Sequence, residues 1–351
     1  MCSRGMWLCF RIPTMDISSV ARRANVSTAT VSRVLNASNK VRESTAVRVR
    51  KAIDELNYVP NTHARTLRSG RSNLYGLIVS DIRNPFFPDL IEHFESLATQ
   101  HGIDVTFANT GYDEQRLLAA VKRLLERGID GLAIFTSEVS ATALRKIRAA
   151  SPPVVFLNQP ATEKDFRNIV VDYVSGFDDA VEHLRMLGHE RIGFVAGPRS
   201  LSSAIRRREA FLAAMEAHHL PIREEWIIEG NHQIAGGQFA AERIFAMRNP
   251  PTAVVCSNDM TAIGLLHTAH RLGRKIPQEL SLIGFDDLLL SEIVQPALTT
   301  LHLSRKEIAT RAFYALQSGR EATAAPLTSS IIPQLIIRAS TGPAFKLAKA
   351  R

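Results

Sequence analysis

Cysteine is nearly absent: Cys2, Cys9 and Cys256 are the three in 351 residues, and none shows a metal-ligand or redox spacing. That excludes a disulfide framework and points to a reducing compartment, the cytoplasm. Long apolar runs are missing too. No stretch approaches the roughly 18 uninterrupted apolar residues of a membrane helix, so no membrane partner is expected. The apolar patch Met6–Phe10 falls short of the roughly 7–15 residues of a signal-peptide core, and no small-residue cleavage site follows it. Residues 1–14 therefore read as a disordered extension ahead of a working start at Met15. The catalytic signatures are lacking as well: no P-loop, no G-x-S-x-G elbow, no H-E-x-x-H and no glycine-rich dinucleotide fingerprint. An enzyme is not expected, and neither a cofactor nor a metal.

What the chain does have is charge in one place. Between Met15 and Asn73 eleven Lys or Arg residues face four acids, Asp16, Glu43, Asp54 and Glu55, a net +7 of the chain's +9. Arg4 and Arg11 supply the other two charges, so the rest of the chain is neutral in sum. A small basic head on a neutral body is the electrostatic footprint of a polyanion-binding module joined to something else.

Within that head the spacing predicts three short helices. Ile17, Val20, Ala21 and Ala24 form one apolar face. Ser27 is a good N-cap for a second helix that carries Val31, Val34 and Leu35 inward. A third helix is expected from about Glu43 to Asn57, burying Ala46, Val49, Ile53 and Leu56. Two short helices and a tight turn, braced by a third, make a helix-turn-helix, whose second helix enters the major groove by its first turn. Thr28, Ala29 and Arg33 are then the base-reading candidates: a hydroxyl for a base edge, a methyl for thymine, a guanidinium for guanine. Ser27, Ser32 and Asn36 suit phosphate oxygens.

Val26-Ser27-Thr28-Ala29-Thr30-Val31-Ser32-Arg33-Val34-Leu35-Asn36 resembles the recognition segment of the lac/gal repressor family, and Asn57-Tyr58-Val59-Pro60-Asn61 resembles its junction into a hinge. Read physically, Pro60 stops the third helix, Asn61 caps a short one over Thr62–Ser69, and Gly70 ends it. Eight residues are too few to be helical alone in water. The resemblance implies that two such helices of a homodimer lie in the minor groove of a palindromic duplex operator. There Leu67 wedges between base steps and Ala64 permits close approach. It also implies a regulator that represses.

From Leu74 onward short apolar runs alternate with amphipathic stretches, near Gly76–Val79, Val105–Ala108, Leu132–Phe135, Val154–Leu157, Ile192–Val195, Ala253–Cys256 and Leu282–Phe285. Such alternation implies parallel sheets covered by helices, and its length implies two lobes. The resemblance extends over residues 15–343 through landmarks such as Gly188-His189-Glu190-Arg191-Ile192 and Gly284-Phe285-Asp286-Asp287. The expected fold is an all-α helix-turn-helix head plus an α/β two-lobed, periplasmic-binding-protein-like domain. The expected division is residues 1–14 extension, 15–58 head, 59–73 hinge and linker, 74–343 effector domain and 344–351 tail. The N-lobe takes about 74–172 and 305–332, the C-lobe about 173–301 and 335–343.

Ligands of such folds bind past the carboxyl ends of strands. Ser80, Phe86, Phe87, Asn158, Asn258 and Asp286 occupy those positions, and Arg207 has the spacing of the family's effector-binding arginine. Carboxylate, amide and guanidinium together suit a hydroxyl-rich small molecule, a sugar or sugar derivative. Three features depart from the family: Asn158-Gln159 replaces a common Asp-Arg, Ala210 replaces a common glycine, and Arg206-Arg207-Arg208 is unusually basic. The basic run leaves the contacting arginine open and raises the alternative of a phosphorylated or acidic effector. An exported solute-binding protein would share the body's fold, but it requires a signal peptide and no basic helical head.

Overall fold

A computed structural model describes residues 16–35, 40–58, 70–136, 139–148, 152–159, 167–318 and 328–344. The chain divides into two compact units, Met1–Ser72 and Asn73–Arg351. The readings made for residues 1–14, Asn36, Asn61, Ala64 and Leu67 lie outside the described residues.

The first unit contains α1 (Ile17–Ala24), α2 (Thr28–Leu35) and α3 (Glu43–Glu55). The Asp16 carboxylate accepts from Ser19 N at 2.9 Å and starts α1, and Asn25 closes it in the left-handed region at φ 53°. Ser27 Oγ accepts from Thr30 N at 3.2 Å, as its N-cap reading required. The core is small: Val20, Ala21, Ala24, Val31, Val49 and Ala52 are buried, with Ile17, Val34, Leu35, Ile53 and Leu56 packed around them. Helix α3 stops at Glu55, two residues earlier than expected, because Leu56 is its C-cap and Asn57 turns to φ 47°.

The second unit has two six-stranded sheets. The first takes β1 (Leu74–Val79), β2 (Asp104–Asn109), β3 (Gly131–Phe135), β4 (Val154–Leu157), β5 (Arg167–Val171) and β11 (Thr328–Ile331) in the order β11-β5-β4-β3-β1-β2. All its pairings are parallel. The second takes β6 (Ile192–Ala196), β7 (Ile227–Glu229), β8 (Ala253–Cys256), β9 (Ser281–Asp286), β10 (Thr299–His302) and β12 (Gln334–Ile336) in the order β12-β10-β9-β8-β6-β7. Only its β10–β12 pair is antiparallel. β3, β6, β8 and β9 are buried along their whole length, which is why they read as continuous apolar runs rather than alternating ones.

Helices α4 (Phe86–Gln100), α5 (Glu114–Glu126) and α6 (Ala141–Arg148) belong to the first sheet's layers. Helix α7 (Tyr173–Met186) leads from β5 of the first sheet into β6 of the second, and α8 (Ser202–Ala217), α9 (Ile234–Ala246), α10 (Asp259–Arg271) and α11 (Leu289–Ile293) follow strands of the second. Helix α12 (Arg305–Ser318) leaves β10 of the second sheet and packs on α4 and β3–β5 of the first. Among the described residues the chain therefore passes between sheets three times: at Asp172, at Leu303-Ser304 and at Ile332-Pro333. Helix α4 starts with Pro85 at the cap position, and Asn84 Oδ1 accepts from Phe86 N at 3.0 Å. Helices α9 and α10 touch backbone to backbone: a Cβ on Gly237 would stand 1.9 Å from Thr261 O, and one on Gly264 2.0 Å from Ile234 O.

Candidate functional site

The basic head presents one polar edge. At about 100° per residue along α2, Thr28, Ser32, Ala29 and Arg33 fall within one arc, and Val34, Val31 and Leu35 fall within another. The burial agrees: Thr28, Ala29 and Arg33 are exposed, Ser32 is half-buried and Val31 is fully buried. Ser27 is engaged as the cap, its Oγ also 3.0 Å from Thr30 Oγ1. The face expected to read base edges is thus open, held by a core on its other side.

In the body, all seven predicted effector residues, Ser80, Phe86, Phe87, Asn158, Arg207, Asn258 and Asp286, line one cavity of about 610 Å³ counted out to its mouth. They come from both sheets. The rule that placed them was strand geometry: β1, β4, β8 and β9 all end at this level. A second chamber of about 840 Å³, likewise counted out to its mouth, adjoins it, sharing Asn84, Tyr112 and His232 in its wall.

Arg207 is the electrostatic centre. Its guanidinium lies 4.1 Å from the centroid of the Phe285 ring and 5.3 Å from that of Tyr173. Its Nη1 donates to Ser257 O at 2.5 Å, and its Nη2 stands 3.6 Å from Asp286 Oδ1. Burial works against the Arg207 charge, but Tyr173 and Asp286 more than offset it, holding its pKa above the ordinary value. The neighbouring arginines are elsewhere: Arg206 Nη1 donates to Asn158 O and Oδ1 at 3.0 and 2.9 Å, and Arg208 pairs with Glu224 at 3.6 Å. One of the three arginines lines the cavity.

Asp286 ends β9 with φ 115°, a conformation that costs a non-glycine residue of order 1–3 kcal/mol. Burial pushes its carboxyl up to about 6, against the pull of Arg207, Arg305 and the Asn84 amide. Asp287 points away, as adjacent strand-end residues must: it accepts from Arg338 at 2.7 Å and meets His302 Nδ1 at 2.8 Å. Beneath the cavity Asp259 accepts from Leu288 N, Ser291 Oγ and Thr300 Oγ1 at 2.8, 2.7 and 2.6 Å. Burial and the charge of Asp286 push it up to about 7.

Two assignments gain detail. Asn258 caps α10 by accepting from Thr261 N at 3.0 Å, and its amide donates to His232 O at 2.9 Å. It thus positions the wall as much as it faces the space. Phe86 and Phe87 serve the core and the cavity wall together, buried and edge-to-face at 5.4 Å. Sequence reasoning missed Tyr112, Tyr173 and His232. His232 follows β7, which is only three residues long, its short apolar run ending at Ile228. Its ring packs so closely on Gly197 that a Cβ there would meet Nε2 at 1.9 Å. Burial and the nearby Arg207 hold its pKa down at about 3, so it is neutral, and its Nε2 has no hydrogen-bond partner among the described residues.

Among the described residues no group of three or more His, Cys, Asp or Glu side chains is placed to hold a metal ion. No helix among them is long and apolar enough to cross a membrane.

Known proteins share this arrangement. A family model of bacterial regulatory proteins, lacI family, matches residues 16–61, and one of a periplasmic binding protein-like domain matches residues 181–341. The HTH-type transcriptional repressor CytR of Escherichia coli K12 is 32% identical over 326 residues, spanning 93% of this chain and 96% of that protein. The HTH-type transcriptional repressor PurR of Vibrio vulnificus is 33% identical over 300 residues, 85% of this chain and 89% of that one. A crystal structure of the lac repressor dimer bound to operator and the anti-inducer ONPF superposes with a TM-score of 0.85 at 26% identity, over 93% of this chain and 99% of that chain. The chain, with its helix-turn-helix head and periplasmic-binding-protein-like body, belongs to the LacI family of bacterial regulatory proteins.

Proposed function

We propose that this chain is a cytoplasmic transcriptional repressor that binds a pseudo-palindromic duplex operator as a homodimer, its grip set by a neutral, hydroxyl-bearing small molecule, a sugar or sugar derivative. The observation that carries the effector half is the Arg207–Asp286 pair in a cavity walled by both lobes. One cation beside one carboxylate gives a site with no net charge, and each offers hydrogen bonds of opposite sense to vicinal hydroxyls. Phe86, Phe87 and Tyr173 supply flat apolar surface for the carbon face of a ring. With Arg206 and Arg208 engaged elsewhere, little favours a phosphorylated ligand.

The DNA half rests on the open edge of α2 and on the net +7 of residues 15–73. In this reading Thr28, Ala29 and Arg33 read bases, while Ser27, Ser32 and Asn36 position the helix on phosphates. Asn61, Ala64 and Leu67 enter the minor groove, Leu67 as the wedge. A two-fold dimer reads a two-fold operator. The lac repressor relative, captured as a dimer on operator with an anti-inducer, supports this assembly. The ligand shifts DNA affinity only by the difference in its affinity for two states of the body.

A thermal-shift screen of neutral sugars, sugar acids, sugar phosphates and nucleosides, followed by isothermal titration, tests the effector reading. A neutral sugar that binds while its phosphate does not supports it. Tight binding of the phosphate alone refutes it.

A further inference from the structure

The three consecutive arginines of α8 do three different things, and that of Arg206 is the least expected. Its Nη1 reaches from the second lobe to the end of β4 in the first, donating to both the backbone O and the side-chain Oδ1 of Asn158, at 3.0 and 2.9 Å. Asn158 is 6% exposed and sits in the left-handed region at φ 66°. It joins four segments at once. Its N–H donates to Ile169 O at 2.7 Å. Its Oδ1 also accepts from Val171 N at 3.2 Å, and its Nδ2 donates to Tyr173 Oη at 2.9 Å. Tyr173 opens α7 directly after the chain has crossed between sheets, and its ring lies 5.3 Å from the Arg207 guanidinium.

These bonds run in one direction. Arg206 occupies both acceptors of Asn158, so the amide nitrogen is the end left to face Tyr173. Tyr173 in turn flanks Arg207, and Arg207 faces Asp286. The Arg206–Asn158 contact is also a direct tie between lobes that the three chain crossings do not supply. Hydrogen bonds to a charged donor are worth more than neutral ones, and most where water is kept out. Asn158 is buried and Arg206 half-buried. An aspartate at position 158, common in the family, would make the same contact an ion pair. Here the acceptor is neutral and the tie correspondingly weaker.

We infer that Arg206 is a positioning residue that clamps the two lobes shut through Asn158 and thereby orients Tyr173 and Arg207 for the effector. The clamp forms in the closed cleft and breaks when the lobes part. It therefore sets the closed-to-open ratio of the protein before any ligand arrives, and with it the fraction of molecules competent to hold one. The inference rests on the cavity being the effector site, yet its test needs no ligand, so the two readings fail separately.

The experiment is a pulsed electron–electron distance measurement on the ligand-free full chain. Spin labels are placed at Lys122→Cys on α5 and Glu242→Cys on α9, with Cys2 and Cys9 changed to serine and the buried Cys256 retained. Arg206→Leu and Arg206→Gln are compared with the parent, circular dichroism confirming the fold, and the pair guards against one variant failing to fold. The clamp requires that each variant lower the closed-to-open ratio by about tenfold, seen as a second, shifted distance population. Arg206→Lys should recover part of the closed population, since an ammonium still donates to both oxygens. Asn158→Asp should narrow the distribution when Arg206 is present and broaden it when Arg206 is leucine, because the new carboxylate is then unpaired. A merely structural arginine would lower stability without moving the distance. Unchanged distributions in Arg206→Leu and Arg206→Gln, or an Asn158→Asp effect independent of residue 206, overturn the inference.

Discussion

Replacing Asp286 by asparagine should make the body more stable and, at the same time, deaf to its effector. At 3.6 Å and an effective dielectric constant of about 20, Arg207 pulls on the ionised carboxylate with roughly 5 kcal/mol. The carboxyl nevertheless titrates near 6 rather than at its ordinary 3.8, so burial costs more than that pull returns. The difference, about two pH units at 1.36 kcal/mol each, amounts to roughly 3 kcal/mol against the folded state at neutral pH. An amide has the shape of the protonated acid without that penalty, and asparagine tolerates the positive φ at least as well. The loss of one acceptor facing Arg207 or Asn84 takes part of the gain back, leaving about 1–3 kcal/mol, or a rise in Tm of roughly 2–10 °C.

The pH dependence separates this from any other cause. Because the folded pKa lies above the unfolded one, the penalty is complete above pH 7 and fades as pH falls from about 6 toward 4. The Asp286→Asn advantage should shrink over the same window and vanish near pH 4. Differential scanning calorimetry of both proteins from pH 4 to 8 measures it. A variant less stable than the parent at pH 7.5, or an advantage independent of pH, would refute the reasoning.

Three further outcomes are expected. His232, held at about 3 by burial and Arg207, has a folded pKa below its unfolded one. Its contribution is therefore present above pH 6.5 and lost on acidification, costing about 2 kcal/mol between pH 7 and 5; the fall in Tm over that interval should be smaller in His232→Gln, and an equal fall argues against a buried neutral imidazole. Gly237→Ala places a Cβ 1.9 Å from Thr261 O, and since backbone cannot step aside cheaply it should cost about 3 kcal/mol or more in denaturant unfolding; a change under 1 kcal/mol means α9 and α10 are not locked. Arg33→Ala should relax preference at one base pair of each half-site, worth about 1–3 kcal/mol there, while other positions keep theirs. Unchanged preference everywhere in a binding selection would place Arg33 off the bases.

The head was legible because its signals are local. Ser27 caps through its own side chain, and the apolar spacing from Ile17 to Leu35 has the period of a helix. Ala52 was missed as core although it lies one turn from Val49 on the same face, and the end of α3 was misplaced by two residues because Asn57 gives no outward sign of its positive φ. In the body, seven strands announced themselves as apolar runs, four of them buried along their whole length. β5, β7, β10, β11 and β12 did not: they are short or lie toward sheet edges, where polar residues such as Arg167, Thr328 and Gln334 break the pattern. The cavity residues that end long strands were found. His232 and Tyr112 sit on loops in the left-handed region and depend on contacts made far along the chain. The division of labour among Arg206, Arg207 and Arg208 was invisible for the same reason: neighbours on one helix turn point about 100° apart, and only the tertiary structure says at what.

The link between the cavity and DNA is tested most directly by fluorescence anisotropy of the full chain on a duplex chosen by selection from random sequence. Titrations are run with and without a saturating amount of whichever compound raises the parent's Tm. The selected duplex should be a pseudo-palindrome. The compound should change the Kd of the parent by about 5–150-fold and leave that of Asp286→Asn unchanged. A parent that binds duplex without sequence preference, or whose Kd is the same with the compound bound, would contradict a repressor controlled from the Arg207–Asp286 cavity.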